Sequence, residues 1–267
     1  MDGLLACPVC QADLGRRGRT WRCRAGHSFD VARQGYVNLA GPGAAGGDGG
    51  AMVAARSAFL DGGWFDPLTA ALADAVARAP AGPVLELGAG TAHHLAAALG
   101  DRTGVALDAS VYAARRAARV HPRVLSVVAD AWGRLPLRDG AAAVVLVVFA
   151  PRGGAEIARV LAPGGTLVVA TPGQGHLGEL AGPLGLLSVD PDKEERLRDT
   201  LGPHLDRLDA AELRWPMTLH REAVRALAAM GPSAHHTEAA DLRHRIDALP
   251  EPVTVTGVVT LSRWGAR

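Results

Sequence analysis

The chain has 267 residues, 48% hydrophobic and 21% charged, with a formal net charge of +1. That length holds one full α/β domain and a small extra unit. The near-zero charge excludes a globally basic nucleic-acid binder, so any basic surface has to be local. No stretch approaches the roughly 18 unbroken apolar residues of a membrane span. The opening, Met1-Asp2-Gly3-Leu4-Leu5, has neither the basic nor the apolar region of a secretory signal, so a cytoplasmic location is expected.

The first element is a cluster of ligands. Cys7, Cys10, Cys23 and His27 follow the spacing Cys-x2-Cys-x12-Cys-x3-His, two knuckles that supply a closed tetrahedral zinc site. They use every cysteine in the chain, which argues for metal in a reducing compartment and against a disulfide framework. Leu14 to Trp21 is expected as the hairpin between the knuckles, turning at Arg17-Gly18. So short a unit buries little core, and the metal would supply most of its folding free energy. Six arginines (Arg16, Arg17, Arg19, Arg22, Arg24, Arg33) stand against Asp2, Asp13 and Asp30, a local net of +3. They form either a phosphate-tracking surface for RNA or a solvated hairpin face.

Residues 41–50 are almost wholly Gly, Ala and Pro around Asp48 and read as a flexible linker. A helix is expected over 51–60, with Met52, Ala55 and Phe59 on one stripe. Gly62-Gly63-Trp64-Phe65 breaks it. Asp66 is expected to cap a second helix that starts at Pro67 and aligns Leu68, Leu72 and Val76.

The central stretch is Pro83-Val84-Leu85-Glu86-Leu87-Gly88-Ala89-Gly90-Thr91. It reads as a buried strand, a glycine turn and a helix start, with a ligand able to approach the backbone at Gly88 and Gly90. Asp108 ends the next apolar run, 18 positions after Gly90, where a carboxylate can accept both ribose hydroxyls. A dinucleotide site wants a third glycine, and this chain has Ala92. Glu86 at the strand end repels phosphate and suits a cation, so S-adenosylmethionine is favoured over NAD. The plain alternative is a turn that only closes a βα unit.

From there strands are expected near 83–87, 103–107, 124–128, 142–149 and 166–171. Helices are expected near 92–99, 111–119 (capped by Ser110), 154–161, 177–187 and 193–201. Ala142 to Phe149 is apolar throughout, as in a strand covered on both faces. The alternating run from Val253 to Trp264 would join the sheet's edge region. Of the 28 cationic side chains only Lys193 is not arginine, a skew read as codon usage.

The four-ligand head occurs with Phe29-Asp30-Val31-Ala32 and Gly35-Tyr36-Val37-Asn38-Leu39. It also occurs with Glu86-Leu87-Gly88-Ala89-Gly90, Phe149-Ala150-Pro151, Pro163-Gly164-Gly165, Thr171-Pro172 and His176-Leu177. This set resembles the 23S ribosomal RNA guanine-N1 methyltransferases. Val31 to Gly35, Pro136 to Gly140, Phe149 to Arg152 and Met230-Gly231-Pro232-Ser233 look most like their macrolide-resistance branch, of tylosin or mycinamicin type. The resemblance implies a class I S-adenosylmethionine-dependent domain, Rossmann-like with a mostly parallel seven-stranded sheet. It implies a zinc-finger RNA-recognition module over 1–40, a linker over 41–50 and the methyltransferase domain over 51–267. By position it carries cofactor contacts onto Phe65, Gly90, Thr91 and His176, beside Glu86, Gly88 and Asp108. Asp130 falls where this fold meets the adenine. The implied partner is a stem-loop of 23S rRNA, and a homodimer is expected of the family. Ala92, His93-His94 and His235 depart from the residues of relatives.

Methylating guanine N1 needs its deprotonation, or stabilisation of the anion through donors to O6. Val148-Phe149-Ala150-Pro151 has no polar side chain to hold an exocyclic amine, which points to a ring atom. No general base is assigned; Asp130, His176, His93 and His94 are candidates by location. Trp21, Trp64, Trp132 and Trp264 are stacking platforms or core, and Arg115, Arg116, Arg119 and Arg123 a phosphate track or a solvated face. Two other functions fit the pattern: a small-molecule methyltransferase with a purely structural finger, or a non-catalytic RNA-binding adaptor.

Overall fold

The computed structural model describes residues 3–41, 46–185, 189–231 and 239–266. The head is a three-stranded antiparallel sheet of β1 (Gly15–Arg17), β2 (Thr20–Arg22) and β3 (Ser28–Asp30). The turn between β1 and β2 falls at Gly18, whose φ of +61 is open to glycine without strain. β4 (Val37–Asn38) follows, then α1 (Gly50–Asp61) and α2 (Asp66–Arg78). Asp66 does not cap α2: it is the first helical residue and Phe65 holds the cap position.

The main domain alternates β5 (Val84–Leu87), α3 (His93–Ala98), β6 (Gly104–Asp108), α4 (Val111–Val120) and β7 (Val124–Val128). It continues with β8 (Ala142–Val148), α5 (Gly154–Val160), β9 (Leu161–Pro172), α6 (Gly178–Leu184) and α7 (Lys193–Leu201). β10 (Leu205–Leu219), α8 (Arg221–Met230), α9 (Ala239–Asp247) and β11 (Val253–Ala266) complete it. Ser110 caps α4, its Oγ accepting from Ala113 N–H at 3.2 Å.

The sheet runs β10-β11-β9-β8-β5-β6-β7-β4. β4 to β9 pair in parallel, and β11 pairs antiparallel with β9 and with β10. Seven strands belong to the methyltransferase pattern; the eighth, β4, is the head's own tail laid beside β7. β8 is apolar at every position because both its faces are covered. Val144 and Leu146 enter one core with α2 and α3, and Val145 and Val147 enter the other with Ile157 and Trp264. Strand order reverses at β5, which opens the crevice at the strand C-termini to a ligand.

The head packs on this domain. Leu5 bridges Leu137, and Leu5, Leu14, Trp21, Val31 and Val37 share a core with β6 and β7. Arg159 on α5 holds that docking segment, donating to the carbonyls of Leu135 and Leu137 and pairing with Asp139 and Glu156. Asp13 and Gln11 of the head reach Arg138 and Arg134 on the same segment. Among the described residues no helix is long and apolar enough to cross a membrane.

The sequence pattern left β10, α8 and α9 unassigned. β10 is the true edge, and β11 lies inside it. Most of Asp206–Arg214 is exposed, and β10 turns only Leu205 at its start and Trp215, Met217 and Leu219 at its end firmly inward, so its apolar periodicity is weak.

Candidate functional site

The head brings its four predicted ligands together. Cys7, Cys10, Cys23 and His27 present ligand atoms all within 4.8 Å of one another. Cys10 Sγ and Cys23 Sγ are 3.7 Å apart, and His27 Nδ1 lies 3.5 Å from Cys7 Sγ and 3.4 Å from Cys23 Sγ. A tetrahedral zinc at about 2.3 Å from sulfur and about 2.05 Å from nitrogen separates such atoms by about 3.8 and 3.5 Å. The set therefore fits one zinc ion, with all four positions filled by the protein. That closed site is structural.

The second site is a cavity of ≈ 960 Å³ at the C-terminal ends of β5, β6 and β8. It lies near the top of the roughly 300–1,000 Å³ range of small-ligand pockets, with room for a cofactor and a nucleobase. Its floor is the glycine turn. Gly88 has φ +63, and a Cβ there would meet the Ala150 Cβ at 2.4 Å. The missing side chain thus serves the packing of the loop after β8, not the approach of a ligand. Gly90, φ +54, faces the Arg56 side chain. Ala92, standing where a glycine is common, also takes the left-handed region at φ +58 and is fully buried. That conformation costs a non-glycine residue about 1–2 kcal/mol.

Two carboxyls point into this floor. Asp108 accepts from Gly90 N–H through Oδ2 and from Ser110 N–H through Oδ1, each at 2.8 Å. Burial raises its pKa, against the pull of those two donors. Glu86 is 2% exposed and its Oε2 has no partner. Burial, seconded by the charge of Asp108, pushes the Glu86 carboxyl up to about 8. A buried carboxyl with an orphaned oxygen is costly unless a donor or cation meets it. The two carboxyls therefore suit a cationic ligand such as S-adenosylmethionine, which would stabilise their charged forms, better than a phosphate, which would not.

The wall is aromatic. Phe65, Phe149 and His176 form a triangle with ring centroids 5.7–6.2 Å apart. Phe149 lines the cavity, is 41% exposed and sits at φ +52, a strained conformation for a non-glycine residue, as the chain leaves β8. His176 accepts Val258 N–H on Nδ1 at 3.1 Å, and burial pushes its pKa down to about 4. The ring is therefore neutral with its proton on Nε2, a donor and not a base.

The other base candidates separate. His94 is buried, held to Thr69 Oγ1 at 2.9 Å, and burial pushes its pKa down to about 3. His93 lies half-buried against it at the cavity. Asp130 is exposed and accepts Trp132 N–H at 2.9 Å. Thr91 is buried in the floor. Of the tryptophans, Trp21 and Trp264 are core, Trp64 packs against the core, and Trp132 stands 72% exposed at the cavity. His235 lies outside the described residues.

Three features of the cavity were absent from the sequence reading. Within the sequence-predicted linker, residues 42–45 lie outside the described residues. Gly47 packs on Ser110, and Asp48 pairs with Arg56 at the cavity. Arg56 also reaches the Met230 carbonyl, tying α1 to α8. Lys193 lines the far wall. Its isolation among arginines was the one sequence signal of that placement.

The chain resembles known proteins in three ways. The family model described as "RlmA, N-terminal", a zinc ribbon, matches residues 5–40. The 23S rRNA (guanine(748)-N(1))-methyltransferase of Streptomyces fradiae is 50% identical over 97% of this chain and 95% of its own length. A Micromonospora griseorubida protein with the provisional name 23S rRNA (guanine-N1)-methyltransferase is 49% identical over 97% of this chain and 96% of its own. A solved structure provisionally named a methyltransferase, from Bacillus halodurans, superposes with a TM-score of 0.52 at 14% identity, covering 74% of this chain and 97% of that one. That last likeness is one of fold, the class I methyltransferase sheet. With its zinc head, its cation-seeking cavity and full-length relatives at this identity, the chain belongs to the 23S rRNA (guanine-N1)-methyltransferase family.

Proposed function

We propose that this chain uses S-adenosylmethionine to methylate N1 of a guanine in a stem-loop of 23S rRNA. The observation that carries the reading is the unpaired, buried Glu86 oxygen at the bottom of a cavity with room for two ligands. When bound, the cofactor supplies an electrophilic methyl group on a sulfonium. Glu86 meets the positive charge of its amino-acid end, beside Gly88, Gly90 and Thr91. Asp108 accepts the ribose hydroxyls on the lone pairs its two backbone donors leave free. Asp130 takes the adenine amine, and Phe65 and His176 close over the methionine side.

The target base enters past Phe149, whose exposed ring offers a stacking face for a nucleotide splayed from its stem. Ala150 and Pro151 after it carry no group to hold an exocyclic amine, which favours the ring nitrogen. Residues 1–40 act as the RNA-recognition module, where the exposed side chains of Arg16, Arg17, Arg22 and Arg24 supply a local phosphate-tracking surface. Residues 41–50 link it to the methyltransferase domain, 51–267. A cytoplasmic setting, a homodimer and a role in macrolide self-resistance of the tylosin or mycinamicin type complete the reading.

Primer extension on ribosomal RNA from cells with and without the protein tests it. N1-methylguanine blocks Watson–Crick pairing, so a new stop in 23S rRNA is expected, together with a raised inhibitory concentration of such macrolides. Absence of any new stop contradicts the activity; a stop without a change in drug tolerance contradicts only the resistance role.

A further inference from the structure

The far wall of the cavity holds the chain's single lysine. Lys193 opens α7 and lines the same cavity as Phe149, Pro151, His176 and Asp190. It is half-buried, and its amino group has no ion-pair or hydrogen-bond partner among the described residues. Two of the acids near it in the chain are already ion-paired. Asp190 pairs with Arg196, and Glu194 pairs with Arg198 and Arg207. The charged group that acts on it is cationic, Arg152 from the loop after β8, and Lys193 in turn acts on His176 from the loop after β9. Arg152 is itself half-buried, bound through Nη1 to the Ala150 carbonyl at 3.2 Å, with Nε unpaired. An ammonium partly out of water, facing a guanidinium and lacking an acid, is held below its ordinary range.

Residue type sharpens the point. The other 27 of 28 cationic side chains are arginine, so codon usage accounts for them and leaves this position unexplained. An arginine here could bind phosphate or donate to a carbonyl equally well. What it could not do is give up its proton. The amine at this position is the one cationic side chain here that can give up its proton.

We propose that Lys193 is the catalytic base that takes the N1 proton from the target guanine, a role that rests on the function inferred above. The neutral Nζ forms a bond to that proton, and the N1–H bond breaks with its electron pair left on N1. That pair makes the N1–C bond to the methyl group as the C–S bond breaks with its pair on sulfur. The positive charge passes from sulfonium to the Lys193 ammonium, which returns its proton to solvent. Burial first, and Arg152 beside it, shift the amine toward its neutral form.

One lysine makes the test direct. In protein grown on 13C-lysine, a single side-chain signal follows the titration of Lys193 with neither cofactor nor RNA present. Its midpoint is expected below the ordinary 10.5, and an unshifted midpoint overturns the proposal. Lys193→Arg and Lys193→Met are then compared with wild type in single turnovers on a 23S rRNA fragment, between about pH 6 and 10. Both should lose about 100-fold or more in rate. Both should also lose the pH inflection that coincides with the lysine titration, with zinc content and cofactor affinity kept. A Lys193→Arg variant with the wild-type rate and profile, beside a wild type that forms N1-methylguanine, refutes Lys193 as the base. A wild type that forms none refutes the underlying function instead, while the lysine titration still reads the state of the amine.

Discussion

Gly90 N–H and Asp108 Oδ2 meet at 2.8 Å, joining the turn after β5 to the tip of β6. Ser110 N–H holds the other oxygen at the same distance, so the carboxylate is fixed before any ligand arrives. Each oxygen keeps a lone pair for a hydroxyl. Asp108→Ala removes a charged hydrogen-bond acceptor, worth about 1.5–3 kcal/mol, and should weaken S-adenosylmethionine binding about 10- to 100-fold. Calorimetric titration reads this directly. An unchanged dissociation constant would make Asp108 a strut of the turn only.

Glu86 couples cofactor binding to pH. In the free protein its carboxyl titrates at about 8, so at neutral pH it is mostly protonated. A cationic ligand favours the carboxylate, so binding should release a proton and tighten as pH rises toward 8. Titrations in buffers of different ionisation enthalpy count that proton. The stability effect has the opposite sign. A carboxyl whose folded pKa is raised makes the ligand-free fold less stable as pH climbs from its unfolded value, near 4.5, to about 8. Glu86→Gln should therefore melt a few degrees higher above pH 8 without ligand, yet bind cofactor less tightly. A variant with wild-type affinity, or a wild type that releases no proton on binding, would contradict this role.

Gly88 tests the packing reading of the turn. Gly88→Ala places a Cβ 2.4 Å from Ala150 and forces alanine into φ +63, so a loss of about 2–4 kcal/mol is expected. Adding Ala150→Gly removes the clash and leaves the backbone strain, so chemical denaturation should show partial recovery. Full recovery would place the whole cost in the clash, and none would place it in the backbone.

The zinc site is expected to hold the head together and leave the sheet intact. Cys10→Ser should drop bound zinc from one per chain toward none and loosen residues 3–41, whose Trp21 is buried in the core that the head shares with β6 and β7. Metal analysis and tryptophan fluorescence follow the two effects. Retained full stoichiometry would count against the four-ligand set.

Much of this was legible in the sequence, for local reasons. Ligand spacing at Cys7 to His27 fixes a metal site because the two knuckles are built from neighbours in the chain. The apolar runs of β5 to β9 announced a buried parallel sheet because alternate residues of each strand serve two cores. β10 escaped because an edge strand with solvent on much of its length keeps its charges, among them Asp209, which pairs with Arg263 on β11. Glu86 could be read as a charge, while its orphaned oxygen could not, since that depends on what the surrounding fold fails to offer it. Lys193 was visible as an oddity of composition. Only the fold, bringing α7 to the cavity beside Phe149 and His176, gave it a place.

The central claim is methyl transfer to one ring nitrogen of a 23S rRNA guanine. Mass spectrometry of 23S rRNA fragments, after incubation with purified zinc-loaded protein and isotope-labelled S-adenosylmethionine, tests it most directly. The expected result is one labelled methyl group on a single guanosine that co-elutes with N1-methylguanosine. Label on another atom or another nucleoside, or no label in the RNA at all, would contradict it.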